Sequence, residues 1–190
     1  MTFPNLKNKQ MYDSMFSPKE FIKYSQSIGW APKGKPPEGI IICYNGNLMK
    51  RILAKHTARK IKAFAGDLYF LKGTKNSIGI IGHFGIGAPI AVIVLEELIA
   101  WGVKRFISIG TAGTLQKNLE IGDLVVCDRA IRDEGTSHHY TRHSKYSYAS
   151  KEMTSRIKQT MDKLAQKYSI GTSWTIDSPY RETVREAKQY

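Results

Sequence analysis

Cysteine is nearly absent. Cys43 and Cys127 are the only two in 190 residues, and each sits in an apolar run. That excludes a disulfide scaffold or a cysteine-rich metal knuckle, and predicts two reduced thiols in the core. Long apolar runs are missing as well. The longest, from Ala88 to Trp101, is broken by Glu96 and Glu97, whereas a membrane span needs about 20 apolar residues. The start, MTFPNLKNKQ, has no apolar run behind it and does not read as a signal peptide. Together these absences predict a cytoplasmic protein with no membrane partner.

Acidic residues are also short, 16 against 29 lysines and arginines, for a formal net charge of +13. The excess lies at the ends: residues 1–62 carry +9, residues 63–138 carry −1 and residues 139–190 carry +5. Basic ends can attract polyanions. These lysines are spread out, however, and lack the interleaved aromatics of a single-strand-binding face. Nucleic acid is therefore not the expected partner. Two nucleotide-binding signatures are missing too. GHFGIG at 82–87 does not match G-x-G-x-x-G, and no Gly-Lys-Ser/Thr occurs.

What is present is a globular composition, 42% hydrophobic and 24% charged, of a size that suits one core. Residues 1–38 read as an N-terminal arm and linker. Within them SPKEFIKYSQSIG predicts a short helix capped by Ser17, and APKGKPPEG a linker. Residues 39–190 read as an α/β domain. GIIICY predicts a buried strand, and NLMKRILAKHTARKI a helix with Leu48, Ile52 and Leu53 on one face. GDLYFLKG and SIGIIGHF predict a hairpin turning at GTKN. GIGAPIAVIVLEELIAWG predicts a helix apolar almost all round, hence buried, stopped by Gly102. KRFISIG predicts a strand inside a sheet, and GDLVVCDRAI another. SKEMTSRIKQTMDKLAQKY predicts an amphipathic helix with Met153, Ile157, Met161 and Leu164 on one face, and GTSWTI a further strand. Alternating strands and helices predict a three-layer α/β/α fold around a central mixed sheet.

Ligands of open α/β sheets bind beyond the C-terminal ends of strands. Two such ends are glycine-rich here. In HFGIGAP, Gly85 and Gly87 let the backbone turn tightly before a helix N-terminus. In GTAGT, Gly110 and Gly113 permit unusual dihedrals and Thr111 adds a hydroxyl. His83 stands before the first loop, where a site role and a plain loop role are equally open. His138, His139 and His143 lie in SHHYTRH, without an acidic partner or a helical frame, so no metal is expected there.

The run from Gly85 to Tyr140, GIGAPIAVIVLEELIAWGVKRFISIGTAGTLQKNLEIGDLVVCDRAIRDEGTSHHY, resembles the nucleoside phosphorylase superfamily. That superfamily holds uridine phosphorylases, hexameric purine nucleoside phosphorylases and methylthioadenosine nucleosidases. The shared order is a glycine loop, a helix with paired glutamates, a strand, Gly-Thr-Ala-Gly and a Gly-Asp opening the next strand. AIRDEGTSHHY and SPYRET are most similar to the uridine phosphorylase branch. The resemblance covers about Ile40 to Tyr190.

It implies phosphorolysis of a nucleoside, with uridine the expected substrate, giving ribose 1-phosphate and free base. Inorganic phosphate is a co-substrate and no cofactor is implied. Positioning and electrostatics are enough for such a reaction. Residue by residue, it implies that Thr111 touches phosphate or ribose, with Ala112 and Gly113 beside the base. YNGNL takes the place of the phosphate loop, with Gly46 in it. Relatives often carry an arginine in that loop, and uridine phosphorylases carry another three residues before the threonine. Here the second position is Ser108. Arg132 is a candidate to compensate, against the plainer reading of an ion pair with Asp133 or Glu134. Tyr180 and Arg181, with Asp177, lie where relatives begin their base-binding loop. The resemblance also implies a homo-oligomer built from dimers. It further implies a later segment whose Glu-Met-Glu grips the ribose hydroxyls, so the expected domain is incomplete at its C-terminal end. Two alternatives stay open: a nucleosidase of the same superfamily, or an inactive paralogue that binds only nucleoside or partner subunits.

Overall fold

The computed structural model describes residues 4–63 and 65–190. They form two compact units. One is Asp13–Ala112, and the other joins the segment ending at Tyr12 to Gly113–Tyr190.

The Asp13–Ala112 unit opens with α1 (Pro18–Ser27). The Ser17 side chain accepts a hydrogen bond from the Glu20 N–H, and the Glu20 carboxylate accepts one from the Ser17 N–H. This reciprocal cap, with Pro18 behind it, fixes where the helix starts. Then follow β1 (Gly39–Cys43), α2 (Gly46–Lys55), β2 (Ala58–Ile61), β3 (Asp67–Leu71), β4 (Ile78–Gly82), α3 (Ala88–Trp101) and β5 (Arg105–Ile109). Their strands make one mixed sheet in the order β2-β3-β4-β1-β5. β1 runs parallel to both β4 and β5, pairing Ile42 with Ile81 and with Ser108. β3 is antiparallel to β2 and β4, as the expected hairpin requires. The parallel trio therefore ends along one edge, at Cys43, Gly82 and Ile109.

The core of this unit is closed. Met49, Leu68, Ile80, Ile81, Val94 and Leu98 are fully buried, and each such side chain stabilises the fold by about 1.5–3 kcal/mol. α1 packs on α3, where Ile22 joins Val94, Leu98 and Trp101 in one cluster. The Trp101 ring stacks on Phe70, with centroids 6.1 Å apart. Gly102 closes α3 at φ 116°, a conformation that strains any residue with a side chain. Glu97 is the exception in this apolar setting. It is 7% exposed, and burial pushes its carboxyl up to about 7. Among the described residues, its Oε2 accepts no hydrogen bond.

The second unit holds β6 (Val125–Arg132), β7 (Tyr146–Tyr148), α4 (Lys151–Lys163), β8 (Ser169–Thr175) and α5 (Val184–Gln189). Its sheet has the order β7-β6-β8, with β6 parallel to β8 and antiparallel to β7. α4 packs on β6. The expected α/β class is thus met in both units, as helices packed on strands, and the larger sheet is mixed.

Several local expectations need correction. The helix read through NLMKRILAKHTARKI stops at Lys55, and Ala58–Ile61 is an edge strand paired with β3. Helical spacing ends at Leu53, and the tail beyond it gains ladder hydrogen bonds instead. α3 is buried on one stripe only, since Ile93 and Ile99 are each about half exposed. β5 lies at the edge of its five-stranded sheet, not inside it. Cys43 is a core thiol as expected, whereas Cys127 is exposed. β alternation explains this: Val126 on the other face of β6 is the buried neighbour.

Candidate functional site

The parallel trio delivers three loops to one edge of the larger sheet. After β1 comes Tyr44–Asn45, after β4 comes His83–Gly87, and after β5 comes Gly110–Ala112. β1 and β5 keep pairing one residue past the strand, as the Tyr44 N–H donates to the Ile109 carbonyl at 3.0 Å. Asn45 then does two things at once. Its Oδ1 accepts from the Leu48 N–H at 2.9 Å, which caps α2, and its Nδ2 donates to Thr111 Oγ1 at 3.2 Å. One amide therefore starts a helix and ties the first loop to the third.

Tyr44 fills the space between the loops. Its ring meets Phe84 edge-on at 5.6 Å, and a Cβ placed on Gly110 would lie 3.4 Å from Tyr44 Cβ. That is ordinary van der Waals contact, so a small side chain would fit at Gly110. Neither it nor Gly113 occupies the left-handed region, contrary to the expectation of unusual dihedrals. Gly85 and Gly87 do, at φ 103° and 109°, so the loop before α3 depends on glycine as expected.

The second loop begins with a strained residue. His83 has φ 57°, uncommon for a residue with a side chain. Its Nδ1 lies 3.0 Å from Asp67 Oδ2, on the strand paired with β4. Asp67 also binds Lys60 of β2. Hydrogen bonds from Lys60 first and His83 second hold the Asp67 carboxyl below the usual carboxylate range. Across the loops, a Cβ placed on Gly46 would lie 3.0 Å from His83 Nε2.

Of the residues singled out from sequence, Gly46, Thr111 and Ala112 fall in this unit, with Gly46 and Thr111 flanking Asn45. Gly113 follows Ala112 in the chain. Arg132, Tyr180 and Arg181 belong to the other unit. There the Arg132 guanidinium is 7% exposed and committed to its own loop. Nε donates to Ser137 Oγ at 2.9 Å, and Nη1 to the Arg142 carbonyl at 2.6 Å and Ser144 Oγ at 2.9 Å. The same loop is pinned twice more. Asp133 accepts from Trp174 Nε1 at 2.8 Å, and Asp177 accepts from the Gly135 N–H at 2.7 Å. Burial pushes the Glu134 carboxyl up, but hydrogen bonds from Ser137 and Thr136 outweigh it and hold it below the usual range. Tyr180 stands almost fully exposed on a short helical turn with Arg181. His138 and His143 stack face to face at 5.8 Å, and His139 Nδ1 meets Lys9 Nζ at 2.9 Å.

Sequence reasoning missed Asn45, Asp67 and Lys60. A signal existed for two of them. An Asn directly before a helical run is a capping signature, and the hairpin register sets Asp67 opposite Gly82, beside His83.

The model of the phosphorylase superfamily matches residues 40–190. The chain belongs to that superfamily. A uridine phosphorylase of Thermococcus kodakarensis is 40% identical over 96 residues, which is 50% of this chain and 35% of that protein. A guanosine phosphorylase of Halorubrum lacusprofundi is 50% identical over 56 residues, 30% of this chain and 23% of that protein. The chain thus spans well under half the length of these relatives. Among solved structures, a uridine phosphorylase from Vibrio fischeri superposes with TM-score 0.73 at 28% identity, covering 84% of this chain and 67% of that one. A purine nucleoside phosphorylase from Toxoplasma gondii superposes with TM-score 0.68 at 21% identity, covering 82% and 64%, and shows the shared fold. All three loops of the site lie inside the stretch matched to the phosphorylase superfamily. No helix of the described residues is long and apolar enough to cross a membrane.

Proposed function

We propose that this chain carries a nucleoside phosphorylase site that cleaves the N-glycosidic bond of uridine with inorganic phosphate. A phosphate oxygen attacks the anomeric carbon, the carbon–nitrogen bond breaks, and the products are ribose 1-phosphate and free base. The observation that carries this reading is the Asn45–Thr111 hydrogen bond at the ends of two parallel strands. It sets a hydroxyl beside the first turn of α2, whose free N–H groups suit an anion. Thr111 then touches phosphate or ribose, Gly46 lets phosphate approach the backbone, and Ala112 and Gly113 leave room for the base. For Tyr180, almost fully exposed, and Arg181 beside it, both on the other unit, the base-binding role rests on the resemblance alone. Arg132 is left with the role of loop brace, because its donors are already used. The named relatives include uridine and guanosine phosphorylases, and we assign uridine on the strength of the uridine phosphorylase matches in sequence and structure. The half-exposed Ile93 and Ile99 of α3 support assembly with further copies, and we place the reaction in the cytoplasm.

The test is base release from uridine, inosine and methylthioadenosine, with and without phosphate. Release from uridine that needs phosphate is the expected result. Release without phosphate would instead make the chain a nucleosidase, and binding without release an inactive relative.

A further inference from the structure

An anion held at this edge needs a group that can carry positive charge or donate a strong hydrogen bond. Tyr44, Asn45 and Gly46 supply none that is cationic, and neither do Gly110, Thr111 and Ala112. The second loop supplies one, His83. We infer that His83 contacts the phosphate through Nε2, and that Asp67 is its positioning residue. This rests on the phosphate-dependent reaction proposed above.

Three observations define the arrangement. The Asp67 carboxylate can only accept, so the His83 nitrogen 3.0 Å away donates, and Nδ1 carries a proton. That leaves Nε2 as the variable vertex of the ring. Nε2 faces Gly46, where even a methyl group would sit 3.0 Å from it. The imidazole therefore borders the loop through which α2 would meet an anion. Its side chain is 45% exposed, so a solute can reach it. Lys60 holds the other Asp67 oxygen, which keeps the carboxylate ionised and turned toward the ring.

Both protonation states of the ring suit phosphate. The imidazolium donates from Nε2 to a phosphate oxygen. The neutral ring, with its proton on Nδ1, accepts at Nε2 from a phosphate hydroxyl. Inorganic phosphate near neutral pH offers both kinds of oxygen, so a clamped imidazole matches either ionic form. A lysine in the same place could only donate.

The experiment has two arms on the whole chain. In the first, inorganic phosphate is titrated while the ring carbon–proton NMR signals of His83 are followed, assigned by their loss in His83→Gln. In the second, steady-state base release is measured for the parent chain, His83→Gln and Asp67→Asn. The expected result is a saturable shift of the His83 signals. His83→Gln should raise KM for phosphate about tenfold or more, the scale of one charge-assisted hydrogen bond, and leave KM for nucleoside within about twofold. Asp67→Asn should give a smaller rise of the same kind. His83 signals that stay still through millimolar phosphate would overturn the inference, as would equal losses in both KM values, which mark a purely structural tie between β3 and β4. The two readings separate cleanly. A phosphate shift without phosphate-dependent release sinks the reaction and keeps His83. Phosphate-dependent release with a silent ring does the reverse. If the variants fail to fold, the signals of the parent chain, assigned through sequence-specific labelling, still decide.

Discussion

The two units hold themselves together by different means. Asp13–Ala112 closes over fully buried side chains such as Met49, Leu68 and Ile81. In Gly113–Tyr190 the buried set is Val126, Ile131, Arg132 and Glu134, so half of it is polar. There the order comes from hydrogen bonds that converge on one loop: Arg132 on Ser137 and Ser144, Trp174 on Asp133, Asp177 on Gly135. A closed apolar core tolerates little change of volume, whereas a hydrogen-bonded loop tolerates little change of chemistry. Gly46 and Thr111, candidates for phosphate contact, sit in the first unit, and Tyr180 and Arg181, expected at the base, belong to the second.

Volume should matter most in the first unit. Leu68→Ala removes a fully buried side chain between β3 and its neighbours, and should cost about 2–5 kcal/mol in urea unfolding. Leu164→Ala, at the exposed end of α4, should cost under about 0.5 kcal/mol. Similar costs at the two positions would erase the contrast.

Charge should matter in one place within the apolar unit. The Glu97 carboxyl, at about 7 in the folded chain, lies above its ordinary 4.5. The folded state then binds the proton more tightly, so stability falls as pH rises from about 4.5 to about 7 and levels off above. The span corresponds to roughly 3 kcal/mol. Glu97→Gln should flatten that slope, as read from unfolding midpoints across the range. An unchanged slope would show that Glu97 is not the residue responsible.

Chemistry should matter in the second unit. Arg132→Met keeps much of the volume and removes the donors. It should cost roughly 1.5–3 kcal/mol and speed proteolysis between Ser137 and Ser144. A neutral outcome would mean that packing, not hydrogen bonding, holds this loop.

Legibility from sequence followed the same division. Periodicity revealed α1, α3, α4 and the β3–β4 hairpin, because each is local and its caps or turns are written beside it. Glycine-rich strand ends marked two of the three site loops. What stayed hidden depends on pairing across the chain. β2 is an ordinary short segment until β3 offers it a ladder, and Asp67 acquires meaning only when the antiparallel register sets it beside His83. The exposure of Cys127 and of one side of α3 escaped for the same reason, since composition records that a residue is apolar and not what covers it. Arg132 drew attention as a free cation, and only the backbone path around it reveals its donors as spent.

Asn45 stands directly before Gly46, and Asn-Gly is the dipeptide most prone to lose its side-chain amide, because the following N–H meets no steric bar in attacking it. The amide in question caps α2 with its oxygen and reaches Thr111 with its nitrogen. That attack releases ammonia and closes a cyclic imide; where water reopens the ring to aspartate, a good cap is kept and the helix persists. The donor to Thr111 would be gone, and a negative charge would stand where an anion is to be held. Ageing of this kind would leave a chain that still folds while its proposed anion site is shut.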